Sequence, residues 1–154
     1  MDSNKYTQKT VETLKAAQSL AEENQNQYIT PEHLLFALLD QEGGLIPSLF
    51  GKLGADNDAI LSELRGEINK LPKVSGANDQ IYISRETEKV LRAAEKAGDA
   101  MHDEYLSVEH LMLGIFAAPT SAIRSALAII RRLPADAMRP LTGSFCGRTA
   151  AACC

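Results

Sequence analysis

The chain has no tryptophan, and aromatic residues make up only 5% of its 154 positions. A core built on large rings is excluded. What remains is rich in Ala and Leu at helical spacing, which is the composition of an all-α protein. No apolar run reaches the roughly 18 residues of a membrane-spanning helix, and residues 1–10 are polar throughout, unlike a signal peptide. A cytoplasmic protein with no membrane partner is expected. Lys and Arg number 16 against 20 Asp and Glu. No basic face is available for a phosphate backbone, so nucleic acid is not an expected partner. Cys146, Cys153 and Cys154 all lie in the last nine residues, at spacings that suit neither a zinc site nor a disulfide framework, and are read as incidental thiols.

Catalytic signatures are missing as well. There is no G-x-S-x-G elbow. The pair Gly51-Lys52 fails the phosphate-loop pattern at both ends, with Ile46 where the motif needs Gly and Leu53 after the Lys. The three histidines are too scattered to hold a metal. The reading is therefore of a chain that is not an enzyme and needs no cofactor or metal.

What the chain does contain is written twice. Tyr28–Leu39 reads YITPEHLLFALL and, 77 residues later, Tyr105–Phe116 reads YLSVEHLMLGIF. Each begins with a hydroxyl residue, Thr30 or Ser107, whose oxygen can serve the unpaired amides of a first helical turn. Pro31 suits the first helical position, where a missing N–H costs nothing. Glu32 and Glu109 sit in the first turn, where the positive end of the helix dipole favours a carboxylate by about 0.3–1 kcal/mol. Read as paired acid–base carboxylates they would need a nucleophile that the chain lacks, so the dipole explanation is preferred. His33 and His110 share the third helical position and are expected to hydrogen-bond locally at the cap rather than catalyse. Ile29 and Leu106, just before the caps, can fold over Leu34 and Leu111 as hydrophobic staples. The nearly continuous apolar run behind each cap marks a buried central helix.

Taken in order, Thr7 caps a first helix running to about Glu23, with Tyr6 placed to staple over Val11. The second helix starts at Thr30 and stops at Gly43-Gly44. A short helix follows over Ile46 to Leu53, and Asp56 then caps a longer one with Ile60, Leu61, Leu64 and Ile68 on one stripe, ended by Pro72. Residues 72–82 are rich in turn formers and read as a linker. Ser84 caps the fifth helix and Ser107 the sixth, and a seventh is predicted over about Ser121 to Arg132. The copies align without a gap from Thr7/Ser84 to Leu39/Phe116. The expected architecture is all-α: two pseudo-symmetric four-helix units packed together, residues 1–71 and 83–132, the second incomplete.

The counterpart of the long fourth helix is missing from the second copy. Its place holds PADAMRPLTGSFCGRTAAACC, with two prolines and no Lys or Glu. From Arg131 onward the net charge is +3, while the first 130 residues carry −7. Residues 133–154 are read as a poorly ordered, dispensable tail, either naturally divergent or not selected for this fold.

The double repeat, the [TS]-x-E-H-L-[LM] helix entrance, the QEGG turn at Gln41–Gly44 and the LPKVSG stretch at Leu71–Gly76 together resemble the N-terminal (Clp repeat) domain of Clp-type AAA+ chaperones. The likeness covers about residues 4–130, and LPKVSG favours the ClpB-type disaggregases. It implies a non-catalytic accessory domain, carried by an ATP-driven AAA+ ring in a longer chain, that engages unfolded or aggregated proteins. The alternative it implies is an adaptor-docking domain, as in ClpA- and ClpC-type relatives. The substrate patch of the ClpB type is matched here by Thr7, Asp103 and Glu109. Thr7 and Glu109 also have capping and dipole roles, whereas Asp103, in the loop before the sixth helix, has no structural duty legible in the sequence. Its replacement is expected to be nearly neutral for stability.

Overall fold

A computed structural model describes residues 5–74 and 80–131. The reading of residues 133–154 as a dispensable tail falls outside the described residues. Seven helices are described: α1 (Gln8–Glu23), α2 (Pro31–Asp40), α3 (Leu45–Lys52), α4 (Asn57–Lys70), α5 (Arg85–Met101), α6 (Val108–Ala117) and α7 (Ser121–Arg131). The first copy supplies four and the second three. α1, α4 and α5 begin on the caps read from the sequence: the Thr7, Asp56 and Ser84 side chains accept hydrogen bonds from the amides of Thr10, Ala59 and Thr87. Just past the ends of α1 and α5 stand left-handed residues that are not glycine, Gln25 and His102, each with φ +58°. These two positions are also related by the 77-residue offset.

α2 is buried from Pro31 to Leu39. Leu34, Leu35 and Leu38 have no exposed surface, and in α6 the same holds for Leu111 and Ile115. These central helices share one continuous core with Ile60, Leu64 and Ile68 of α4, Val90 and Ala94 of α5, and Ile123 and Ala126 of α7. No single helix among the described residues is long and apolar enough to cross a membrane.

The copies are joined by reciprocal clasps. The Thr7 amide donates to the Leu106 carbonyl at 3.0 Å, and the Thr10 hydroxyl donates to the same oxygen at 2.9 Å. Seventy-seven residues on, the Ser84 amide donates to the Ile29 carbonyl at 3.1 Å and the Thr87 hydroxyl to the same oxygen at 2.7 Å. The first helix of each copy therefore grips the segment leading into the central helix of the other.

One feature departs from the helical reading. Tyr28–Ile29 (β1) and Tyr82–Ile83 (β2) pair in parallel, Tyr28 with Tyr82 and Ile29 with Ile83. A single parallel bridge between Tyr6 and Leu106 repeats the contact at the other clasp. The linker read over residues 72–82 thus ends inside a strand. Two-residue strands carry no periodicity, so only the partner segment reveals them.

Candidate functional site

Thr7, Asp103 and Glu109 belong to two elements that the clasp holds together. Thr7 caps α1 and is bound through its amide to Leu106, which lies between Asp103 and Glu109 at the start of α6. Asp103 and Glu109 are exposed, as are Met101 and Tyr105 beside them. With Glu104, which is exposed as well, the α6 entrance offers three carboxylates, Asp103, Glu104 and Glu109, beside apolar groups.

His110 organises this entrance. The Ser107 amide donates to its Nδ1 at 3.1 Å, and the Ser107 hydroxyl lies 3.0 Å from the same nitrogen. An amide can only donate, so Nδ1 is unprotonated and the ring proton of the neutral imidazole sits on Nε2. Nε2 is 3.1 Å from Asp103 Oδ2, but is not aligned for a hydrogen bond. The capping box of α6 thus has histidine in the place usually held by Glu or Gln. His33 repeats this in α2, where its Nδ1 accepts from the Thr30 amide at 3.1 Å and its Nε2 lies 3.2 Å from Asn26 Oδ1. The local capping role expected of both histidines is what the structure shows. Burial pushes the His33 pKa down to about 4, against the smaller opposing pull of Glu32.

Two expectations need correction. Asp103 does have structural partners: its amide donates to the Gly98 carbonyl at 3.0 Å, closing α5, and its carboxylate stands at His110 Nε2. Asp103 stands at the 77-residue offset from Asn26, and each faces the capping histidine of its own copy, His110 and His33. Glu32 is more than a dipole residue. It is 6% exposed and accepts a hydrogen bond from the Thr120 hydroxyl, which also caps α7 by accepting from the Ile123 amide. That contact spans 88 positions, and no local pattern announces it. Glu109 has no such neighbour in prospect, because the residue equivalent to Thr120 is Gly43.

Among the described residues no group of three or more His, Cys, Asp or Glu side chains could hold a metal ion. Two open clefts lie away from the α6 entrance, about 400 Å³ between α1 and α2 and about 430 Å³ beside β1 and Leu71–Pro72.

Residues 5–129 match the model of the Clp repeat (R) N-terminal domain. The chain belongs to this family. Among its relatives, the chaperone protein ClpB of Porphyromonas gingivalis is 43% identical over 115 residues, which make up 75% of this chain and 13% of that protein. The ClpB of Brucella suis is 35% identical over 153 residues, 97% of this chain and 17% of that protein. The Clp repeat chain therefore spans less than a fifth of the length of these chaperones. Two solved structures share its fold. The Hsp104 N-terminal domain from Candida albicans has a TM-score of 0.73 at 19% identity, covering 86% of this chain and 85% of that one. The N-terminal domain of the ClpV1 ATPase from an E. coli type VI secretion system has 0.72 at 23%, covering 86% and 80%.

Proposed function

We propose that this Clp repeat domain is a non-catalytic, cytoplasmic module that engages unfolded or aggregated polypeptide for the ATP-driven ring of a ClpB-type disaggregase. The α6 entrance, with Thr7, Asp103 and Glu109, is its contact patch. One observation carries the reading: Asp103, Tyr105 and Glu109 are exposed together at a helix entrance held rigid by the clasp, whereas in the other copy Glu32 is buried and engaged. Acidic groups beside apolar ones suit an extended chain that offers amides, basic side chains and hydrophobic residues in no fixed order. The ordering entropy of such a ligand keeps affinity modest, which suits a domain that passes its cargo on.

The test uses reduced, carboxymethylated lactalbumin as the unfolded ligand. Asp103→Asn removes the charge but leaves an amide facing His110, as Asn26 faces His33. The variant is expected to lose binding several-fold with its melting temperature unchanged. Ser107→Ala should lose stability but keep binding below its melt. If Asp103→Asn and Glu109→Gln both bind the ligand as the parent does, the patch is not the contact. Retention of one folded protein in place of denatured ones would favour adaptor docking.

A further inference from the structure

The stretch LPKVSG has no part in the patch at the α6 entrance, yet its first four residues make a specific contact elsewhere. Pro72 cannot continue α4, and Leu71 before it is already extended, with ψ 150°. The chain then runs across the entrance of α2. Asn26 and Lys73 form an antiparallel bridge. The Val74 amide donates to the Gln25 carbonyl at 2.9 Å, and Asn26 Nδ2 donates to the Pro72 carbonyl at 3.4 Å. The other end of the same side-chain amide, Oδ1, lies 3.2 Å from His33 Nε2. Asn26, 4% exposed, therefore joins the capping histidine of α2 to a strand laid over it.

Pro72–Val74 holds on by its main chain. All three residues are exposed, Val74 by 45%, so their side chains bury little. The groups that are gripped, one carbonyl and the amide two residues later, are offered by any extended segment. We propose that the α2 entrance is a second site for extended polypeptide, and that Pro72–Val74 is a built-in strap filling the place a client segment takes when the strap is displaced. This rests on the reading of the domain as a binder of unfolded protein and carries it into the other copy. Gln25 supplies the acceptor and Asn26 the donor. His33, fixed by the Thr30 amide at its Nδ1, holds Asn26 in position. An unfolded client suits such a grip because its backbone groups are free, whereas those of a folded partner are already paired. A strap lowers the apparent affinity of its site by the fraction of time the site is open.

The probe is fluorescein-labelled, reduced and carboxymethylated lactalbumin, titrated into the full chain and followed by anisotropy. Asp103→Asn/Glu109→Gln is the background for every variant, so the α2 site is read apart from the α6 patch. Lys73→Gly/Val74→Pro removes the amide that holds the strap, with circular dichroism expected to match the background. A strap in place for more than about nine-tenths of the time hides about a tenfold gain, and the freed chain should bind tighter by at least that factor. An excess of the peptide KLPKVS, the sequence of residues 70–75, should cancel the gain by refilling the site in trans. Val74→Pro alone carries the same expectation should the double change prevent folding. No gain in a folded freed chain, or a gain that the peptide does not reverse, overturns the proposal. Failure of the α6 patch shows separately, as a background that binds like the parent, and leaves the comparison of strapped with freed chain decisive.

Discussion

In the first copy α1 and α2 bury Ala21 and Ala37; at the same positions in the second copy, α5 and α6 carry Gly98 and Gly114. A methyl on Gly114 would stand 2.3 Å from the Val90 carbonyl oxygen and 3.0 Å from the Ala94 amide, and one on Gly98 would stand 2.7 Å from Leu106 Cδ2. The second pair of helices has closed to a distance that admits no Cβ. The first pair keeps its methyls, and α4 lies over its α2. One repeat has therefore been stabilised in two ways: by a covering helix where one is present, and by close backbone approach where none is described. The carboxylates follow the same division, with Glu32 drawn into the packed copy and Glu109 left at the surface.

The sharpest way to break the comparison is to cut the same kind of side chain in both copies. Leu64→Ala empties a fully buried site under α4 and should cost about 2–5 kcal/mol. Leu113→Ala trims a residue that is 40% exposed and should stay within about 0.5 kcal/mol, as surface changes do. Urea denaturation reads both. Similar costs would mean that the α6 face is covered after all.

Exchanging the small residues comes next. Gly114→Ala forces backbone apart and should destabilise by about 1–3 kcal/mol through overpacking, even though alanine is the better helix former. Ala37→Gly only loses a methyl and some backbone restriction, about 1 kcal/mol. Thermal melts that show the alanine variant stabilised would refute the close approach of α5 and α6.

The contrast also shows which parts of the molecule were legible from residues alone. Caps, helix order and the buried central helices were, because each is written locally: Thr7, Asp56 and Ser84 sit where hydroxyl and carboxyl oxygens meet free amides, and α2 and α6 announce burial by their apolar runs. The reciprocal clasps were not, since a carbonyl such as that of Leu106 or Ile29 carries no side-chain signature. The Glu32–Thr120 bond joins residues from different copies and breaks the repeat, so the 77-residue offset pointed away from it. The candidate patch came from the resemblance to the ClpB type; of its residues only Thr7 and Glu109 have roles legible in the chain itself, and those are helix-start roles. Asp103's place at His110 depends on a turn closed by the left-handed His102, where the chain lacks the glycine that most often marks such a turn.

The histidine caps also differ in what faces Nε2, an amide oxygen of Asn26 in the first copy and the Asp103 carboxylate in the second. His33 titrates at about 4 when folded against an ordinary 6.5. The folded state binds fewer protons than the unfolded one, so the stability this residue contributes is fully present above pH 6.5 and is lost as pH falls through the folded value near 4. The slope from this group cannot exceed about 1.4 kcal/mol per pH unit. Two features set the direction. Burial disfavours the imidazolium, and protonated Nδ1 would face the Thr30 amide that now donates to it, opening the cap of α2. Asn26 offers Nε2 only an amide oxygen, where the second copy places the Asp103 carboxylate at His110. Asn26→Asp therefore carries the second copy's arrangement into the first. It should raise the His33 pKa and flatten the acid limb of the stability curve, and His33→Gln should flatten it further. Histidine proton shifts followed by NMR from pH 8 to 3.5, alongside urea melts, measure both. An unchanged His33 titration in Asn26→Asp would show that burial alone sets its value and that the partner at position 26 is electrostatically silent.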